Sequence, residues 1–482
     1  MVFSDLFFLF VFIPAFALSY LLATLCDNKL LSTPEKSSCL SRNVTIVLFS
    51  LIFYGWGEPV YIFLMILCVL LNYLSGLAID RFEGRGRKRA FILGLISNLL
   101  ILGVFKYAGF FASTLNAIGI PVSVPQISLP IGISFYVFQS ISYLVDVYRR
   151  EAAAQRHFGN LLLYISMFPQ LVAGPIVRYD TIAREISNRT TSVQDIADGV
   201  FRFIIGLGKK VIIANQFSEI ADQFMLNGVG NLSTAGAWIG AFAYAMQIYF
   251  DFSGYSDMAI GMGRCMGFHF NENFDHPYCG KSITEFWRRW HISLGSFFRD
   301  YVYIPLGGNR RHQSLNLLVV WFLTGMWHGA SWNFVLWGLY FGSIVLVEKY
   351  TIMPIAHRIP RVIMHLYALF MIMCSWGLFY FEDMGLMGKF YRSFFGCSDV
   401  VADISEQSAI WGNFWLWIVA VILCMPTRKF LGDMLVRVCG KNLCSLAWAQ
   451  LTLRVAVSVV IIILSVALLV GATNNAFIYT RF

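Results

Sequence analysis

Residues 315–347 read LNLLVVWFLTGMWHGASWNFVLWGLYFGSIVLV, an apolar stretch interrupted once, at Gly325-Met326-Trp327-His328-Gly329-Ala330. Such a stretch belongs in hydrocarbon or in a protein interior. A polar or ionisable group placed there costs about 2 to 4 kcal/mol on insertion scales. His328 is therefore either a functional residue or a histidine bonded to a neighbouring helix. Gly325 and Gly329 favour function, because they are expected to loosen the helix, and irregular backbone at membrane depth is tolerated mainly where it lines a cavity.

The rest of the chain agrees with a membrane reading. Hydrophobic residues make up 58% of 482 and charged residues 13%, against roughly 25% charged in a soluble domain. Apolar runs of spanning length lie near 5–25, 59–79, 90–112, 127–148, 234–252, 362–381, 410–425 and 452–471. With shorter runs near 44–56, 161–177 and 200–217 and on either side of His328, about ten to twelve spans are expected. The fold class is an all-α polytopic membrane protein.

The start, Met1-Val2-Phe3-Ser4-Asp5, lacks the basic region of a cleavable signal, so the first span is expected to stay. Ten scattered cysteines form no Cys-x-x-Cys pair and read as packing residues. The net charge of +9 comes largely from basic loops and needs no nucleic-acid partner. Arg81, Arg85, Arg87, Lys88 and Arg89, then Arg149, Arg150 and Arg156, mark cytoplasmic loops. Arg428, Lys429, Arg437 and Lys441 precede the last span, which sends residues 472–482 to the opposite, exported face. No repeat, low-complexity linker or soluble domain is visible, so residues 1–482 read as a single transmembrane domain.

Residues 251–311 mix aromatics with charges and should lie at the interface or line a cavity. The spacing predicts one helix over Ser282–Tyr301, with Ile283, Phe286, Trp287, Trp290, Leu294, Phe297 and Tyr301 on one face and Thr284, Arg288 and His291 on another. By pattern alone His291 is either a polar-face residue or a second imidazole sharing a cavity with His328. Asp251 and Asp257 sit among aromatics and need partners, for which Arg264 and Arg288 are candidates; Asp251 is either structural or supports catalysis. His269, Asp275 and His276 match no ligand spacing, and no metal is expected. Nucleophile-elbow, phosphate-loop and His-Glu-x-x-His motifs are not present in the sequence. A neutral imidazole can take a proton from a hydroxyl attacking a carbonyl, so His328 fits acyl transfer. It fits a transporter's proton relay as well.

Several longer motifs carry a resemblance: LPIGISFY (129–136), FPQLVAGPIVRY (168–179), YFDFSGYSD (249–257), SITEFWRRWHISL (282–294), YIPLGGNR (303–310) and WHGA (327–330). In these the chain resembles the membrane-bound O-acyltransferase (MBOAT) family, within it the membrane subunits of bacterial alginate O-acetyltransferases. The resemblance implies a ring of tilted helices with interfacial and re-entrant helices around a tunnel. It implies that His328 and His291 are the two catalytic histidines. His328 would act as general base, and His291 or a nearby amide would orient the thioester or bear oxyanion charge. The acyl donor implied is acetyl-CoA, with no bound cofactor, and Arg310 and Arg311 are candidates for its phosphates.

The implied location is the bacterial cytoplasmic membrane, and the implied partners are an exported acetyltransferase and a cell-surface polysaccharide. The C-terminal Phe477-Ile478-Tyr479-Thr480-Arg481-Phe482 resembles aromatic termini of such acylation systems. That makes Tyr479 a candidate acyl relay, against the plainer reading of an interfacial aromatic. D-alanyl transfer to teichoic acid from a carrier-protein thioester is the alternative within the family, and a polymer or acyl-donor transporter the alternative outside it.

Overall fold

The computed structural model describes residues 2–31, 39–172, 174–427, 433–434, 437, 443–471 and 477–478, and every regular element among them is helical. Among the described residues six helices are long and apolar enough to cross a membrane: Phe8–Lys29, Tyr61–Arg81, Gly84–Ala117, Trp332–Arg358, Arg361–Tyr380 and Ala447–Val470. Other apolar runs fold as helices that are shorter or carry more polar residues. The run at 127–148 becomes Ile133–Arg149, with Gln139, Ser140, Ser142 and Asp146 buried inside protein rather than facing lipid. The run at 410–425 yields Phe414–Leu423, whose 10 residues span about 15 Å, half the hydrocarbon thickness.

The chain packs as two compact units, Met1–Phe203 with Tyr255–Asn271, and Ile204–Gly254 with Glu272–Ile478. The helices Val193–Gly208 and Thr234–Cys265 carry residues of both. In the first unit Phe3, Phe8, Phe12, Phe53 and Phe168 form an aromatic core with ring centroids 5.0 to 6.4 Å apart. A buried ion pair there joins Asp27 to Arg42 at 3.0 Å. The same Asp27 carboxylate accepts the Ser41 and Arg42 N–H groups that open the helix Leu40–Gly57. Asp257 pairs with Arg202, and Arg264 with Asp195 and Asp198.

The second unit is centred on the helices Gln313–His328 and Trp332–Val347. These approach each other closely at Gly325 and Gly338. A Cβ at Gly325 would run into the Phe334 carbonyl oxygen, and one at Gly338 into that of Trp321. The helix continues through Gly325 to His328. Gly325 thus permits close packing and does not loosen the helix, and a Cβ at Gly329 would meet the Phe334 ring. The tight crossing holds the histidine-bearing turn in place.

The single helix expected over Ser282–Tyr301 is two short ones, Ile283–Arg289 and Ile292–Phe298. His291 divides them, with left-handed φ 46° and ψ 54°. The aromatic stripe survives the break, since Ile283, Phe286, Trp290, Leu294 and Phe297 are all buried.

Candidate functional site

His291 and His328 are 1% and 2% exposed, both within the second unit. His328 is the last residue of the helix Gln313–His328. Edge-on rings enclose it, Trp337 at 4.9 Å and Phe379 at 5.2 Å between centroids. His291 meets Phe252 edge-on at 4.6 Å and Trp327 at 5.6 Å. Trp327 itself lies 4.9 Å from His328. One indole therefore contacts both imidazoles, which places the two histidines in one aromatic cluster even though 37 residues separate them in the chain (328 minus 291).

The first short helix is capped at its start, and the break at His291 is held from the other side. Ser282 caps the first short helix by accepting the Glu285 N–H at 3.0 Å. Glu348, fully buried, accepts the next two free donors, Ile283 N–H at 2.6 Å and Thr284 N–H at 2.9 Å, and the Thr284 hydroxyl at 2.7 Å. A carboxylate at a helix N-terminus satisfies otherwise orphaned N–H groups and complements the positive end of the dipole. Beyond the break, the Asn273 side-chain oxygen contacts His291 Nδ1 at 3.1 Å and accepts the Ser293 N–H at 3.2 Å. A left-handed histidine costs on the order of 1 to 3 kcal/mol and persists only where surrounding structure imposes it. Asn273 supplies that structure, in contact with His291, Ile292 and Ser293. Burial pushes the His291 imidazole down to about 3, so it is neutral near pH 7.

Asp251 pairs with Lys210, Oδ1 to Nζ at 2.7 Å, and neither Arg264 nor Arg288 is its partner. Arg264 is engaged by Asp195 and Asp198, and Arg288 is exposed on the last turn of the helix Ile283–Arg289. The second Asp251 oxygen accepts the Ile478 N–H at 2.9 Å. Phe477 packs 6.3 Å from Phe252, the ring that meets His291. The described end of the chain is thus anchored beside the histidine cluster. Tyr479, the relay candidate, lies outside the described residues.

Arg310 and Arg311 are exposed in the turn that precedes Gln313–His328. They sit at the opposite end of that helix from His328, a distance of about 25 Å along its axis. Among the described residues no group of three His, Cys, Asp or Glu side chains is arranged to hold a metal.

Sequence reasoning passed over Lys210, Asn273 and Glu348. For Glu348 a signal existed, an acid directly after a long apolar run, where an unpaired carboxylate is costly. For Asn273 no periodicity marks the residue.

Two buried histidines in a helical membrane protein fit acyl transfer and proton relay alike, and comparison with known proteins supplies the class. The family model for MBOAT, membrane-bound O-acyltransferase, matches residues 148–382. The chain is 40% identical over 417 residues to the probable alginate O-acetylase AlgI of Azotobacter vinelandii, covering 84% of this chain and 80% of the relative. It is 38% identical over 442 residues to the probable alginate O-acetylase AlgI of Pseudomonas syringae pv. tomato, covering 90% and 82%. It is 33% identical over 445 residues to the peptidoglycan O-acetyltransferase of Helicobacter pylori, covering 85% and 82%. The chain belongs to the membrane-bound O-acyltransferase family, as a multi-pass membrane O-acyltransferase.

Proposed function

We propose that this chain takes an acetyl group from cytoplasmic acetyl-CoA and passes it across the bacterial cytoplasmic membrane for O-acetylation of an exported polysaccharide. The observation that carries the reading is the burial of His328 within the aromatic cluster that also holds His291. In a water-poor site a neutral imidazole is a competent base, and hydrolysis of the thioester is suppressed. His328 takes the proton of the acceptor hydroxyl as its oxygen attacks the thioester carbonyl. The carbon–sulfur bond then breaks, and the imidazolium returns the proton to the departing thiolate. His328 lies at the carbonyl end of its helix, where a passing positive charge is favoured. Base catalysis of this kind contributes about 10²- to 10⁴-fold.

Arg310 and Arg311 are proposed to hold the CoA phosphates. Their distance from His328, about one 16-residue helix, suits a donor whose phosphates and thioester are joined by a long flexible arm. On the exported side Tyr479 is proposed to accept the acetyl group on its phenol and hand it to a separate exported acetyltransferase. The anchoring of Ile478 by Asp251 supports this, because the neighbouring residue is Tyr479. Phenyl esters are activated donors, as a relay requires. The glycan is proposed to be alginate-like or another cell-surface polymer, after the names carried by the relatives.

The test is transfer from labelled acetyl-CoA in proteoliposomes supplied with polysaccharide and the exported partner, comparing wild type with His328→Ala. Label leaving CoA only when His328 is intact is the expected result, with label on the C-terminal peptide for the relay. Thioester cleavage undiminished in His328→Ala would overturn the base assignment. A D-alanyl carrier thioester used in place of acetyl-CoA would overturn the donor.

A further inference from the structure

Asn273 lies buried beneath the break that carries His291. Its backbone carbonyl accepts the Ile292 N–H at 3.0 Å, which pins its loop to the junction of the two short helices. Its side-chain Oδ1 lies 3.2 Å from Ser293 N, 2.9 Å from Ser293 Oγ and 3.1 Å from His291 Nδ1. A backbone N–H is only a donor, so the Ser293 N–H requires the amide oxygen, not the amide nitrogen, at this position. That removes the ambiguity an asparagine side chain otherwise carries. The Ser293 hydroxyl also lies 3.4 Å from His291 Nδ1 but is nearer the amide oxygen, to which it donates; an amide oxygen is only an acceptor, so the imidazole nitrogen 3.1 Å from it carries the proton. A neutral imidazole has a single N–H, and with Nδ1 protonated, Nε2 is the lone-pair nitrogen.

A lone pair directed at a developing oxyanion repels it. Within the acyl-transfer reading, on which this step rests, the one proton of the acceptor hydroxyl goes to His328. Of the thioester's own groups, the hydrogen-bond donor nearest the reacting carbonyl is the amide N–H of the cysteamine arm. We infer that His291 binds the acyl donor as an acceptor, taking this amide N–H at Nε2, and that Asn273 is the positioning residue that selects the tautomer. The oxyanion is then stabilised by other donors. His291 orients the thioester and leaves the proton transfer to His328.

Two measurements test this. Nitrogen NMR of protein labelled at histidine, with His291→Gln to assign the signal, reads the tautomer directly and independently of transfer. A protonated Nδ1 and an unprotonated Nε2 are expected; the reverse overturns the assignment whatever the transfer assay gives. The second compares acetyl-CoA with an analogue whose cysteamine amide N–H is replaced by an ester oxygen. Wild type should lose about 3- to 10-fold in kcat/KM on the analogue, the worth of one hydrogen bond. The loss should vanish in His291→Leu, shrink in Asn273→Leu and persist in Asn273→Asp, whose carboxylate accepts from the same Nδ1–H. Equal discrimination in wild type and His291→Leu would overturn the donor contact, whereas a wild type inactive toward both thioesters would overturn the transfer reading itself.

Discussion

Replacing Asp251 by alanine removes the carboxylate from a buried ammonium and from the Ile478 N–H in one step. Lys210 is 4% exposed and Asp251 1% exposed, so little water can compensate. Breaking a buried pair by deleting one partner costs about 3 to 5 kcal/mol, chiefly because the remaining charge stays buried. The Ile478 N–H, in a buried segment, adds about 1 kcal/mol or more as an unsatisfied donor. Asp251→Ala should therefore lose on the order of 4 kcal/mol or more. The double variant Lys210→Met with Asp251→Leu removes both charges and should recover most of that, leaving the Ile478 donor's share. Reversible unfolding in mixed micelles titrated with sodium dodecyl sulfate, followed by tryptophan fluorescence, measures both. The C-terminal segment should become more accessible to carboxypeptidase in Asp251→Ala than in wild type. A single variant within about 1 kcal/mol of wild type, or a double variant worse than the single, would refute the argument that this pair is a buried anchor for the chain's end.

Gly325→Ala should cost about 1 to 3 kcal/mol by overpacking, since the added methyl meets the Phe334 backbone carbonyl and not a movable side chain. Transfer activity should fall with it, as measured in proteoliposomes, because the displaced turn carries His328. Glu348→Gln keeps the shape but turns an amide NH₂ toward N–H donors. A loss of about 1.5 to 3 kcal/mol, read by unfolding in the same micelles, is expected, with a lowered kcat from a shifted His291. For pH, the His291 imidazole is held down to about 3 in the folded protein and titrates near 6.5 when unfolded. The unfolded chain therefore binds the extra proton as pH falls below 6.5, and stability is lost on acidification. At pH 5 the His291 share of that loss is about 2 kcal/mol relative to neutral pH, and His291→Gln should flatten the stability profile between pH 7 and pH 5 by that amount.

The sequence by itself determined that the chain is helical and membrane-embedded, and it singled out His328. Transfer of an apolar run into hydrocarbon is a local property, summed residue by residue, so the runs at 59–79 and 362–381 could be read directly and became Tyr61–Arg81 and Arg361–Tyr380. The same local sum does not distinguish a helix facing lipid from one whose polar side chains are buried in protein, as at Ile133–Arg149. His291 was legible as a candidate, but its helical spacing concealed the left-handed break.

Only the tertiary structure decided the partners. Lys210 reaches Asp251, Ile478 reaches the same carboxylate from 227 residues away, and Glu348 caps a helix that begins 65 residues earlier. Each of these contacts answers the cost of burying a polar group. Sequence states that the cost exists but not which distant donor meets it, because that is settled by where the helices cross.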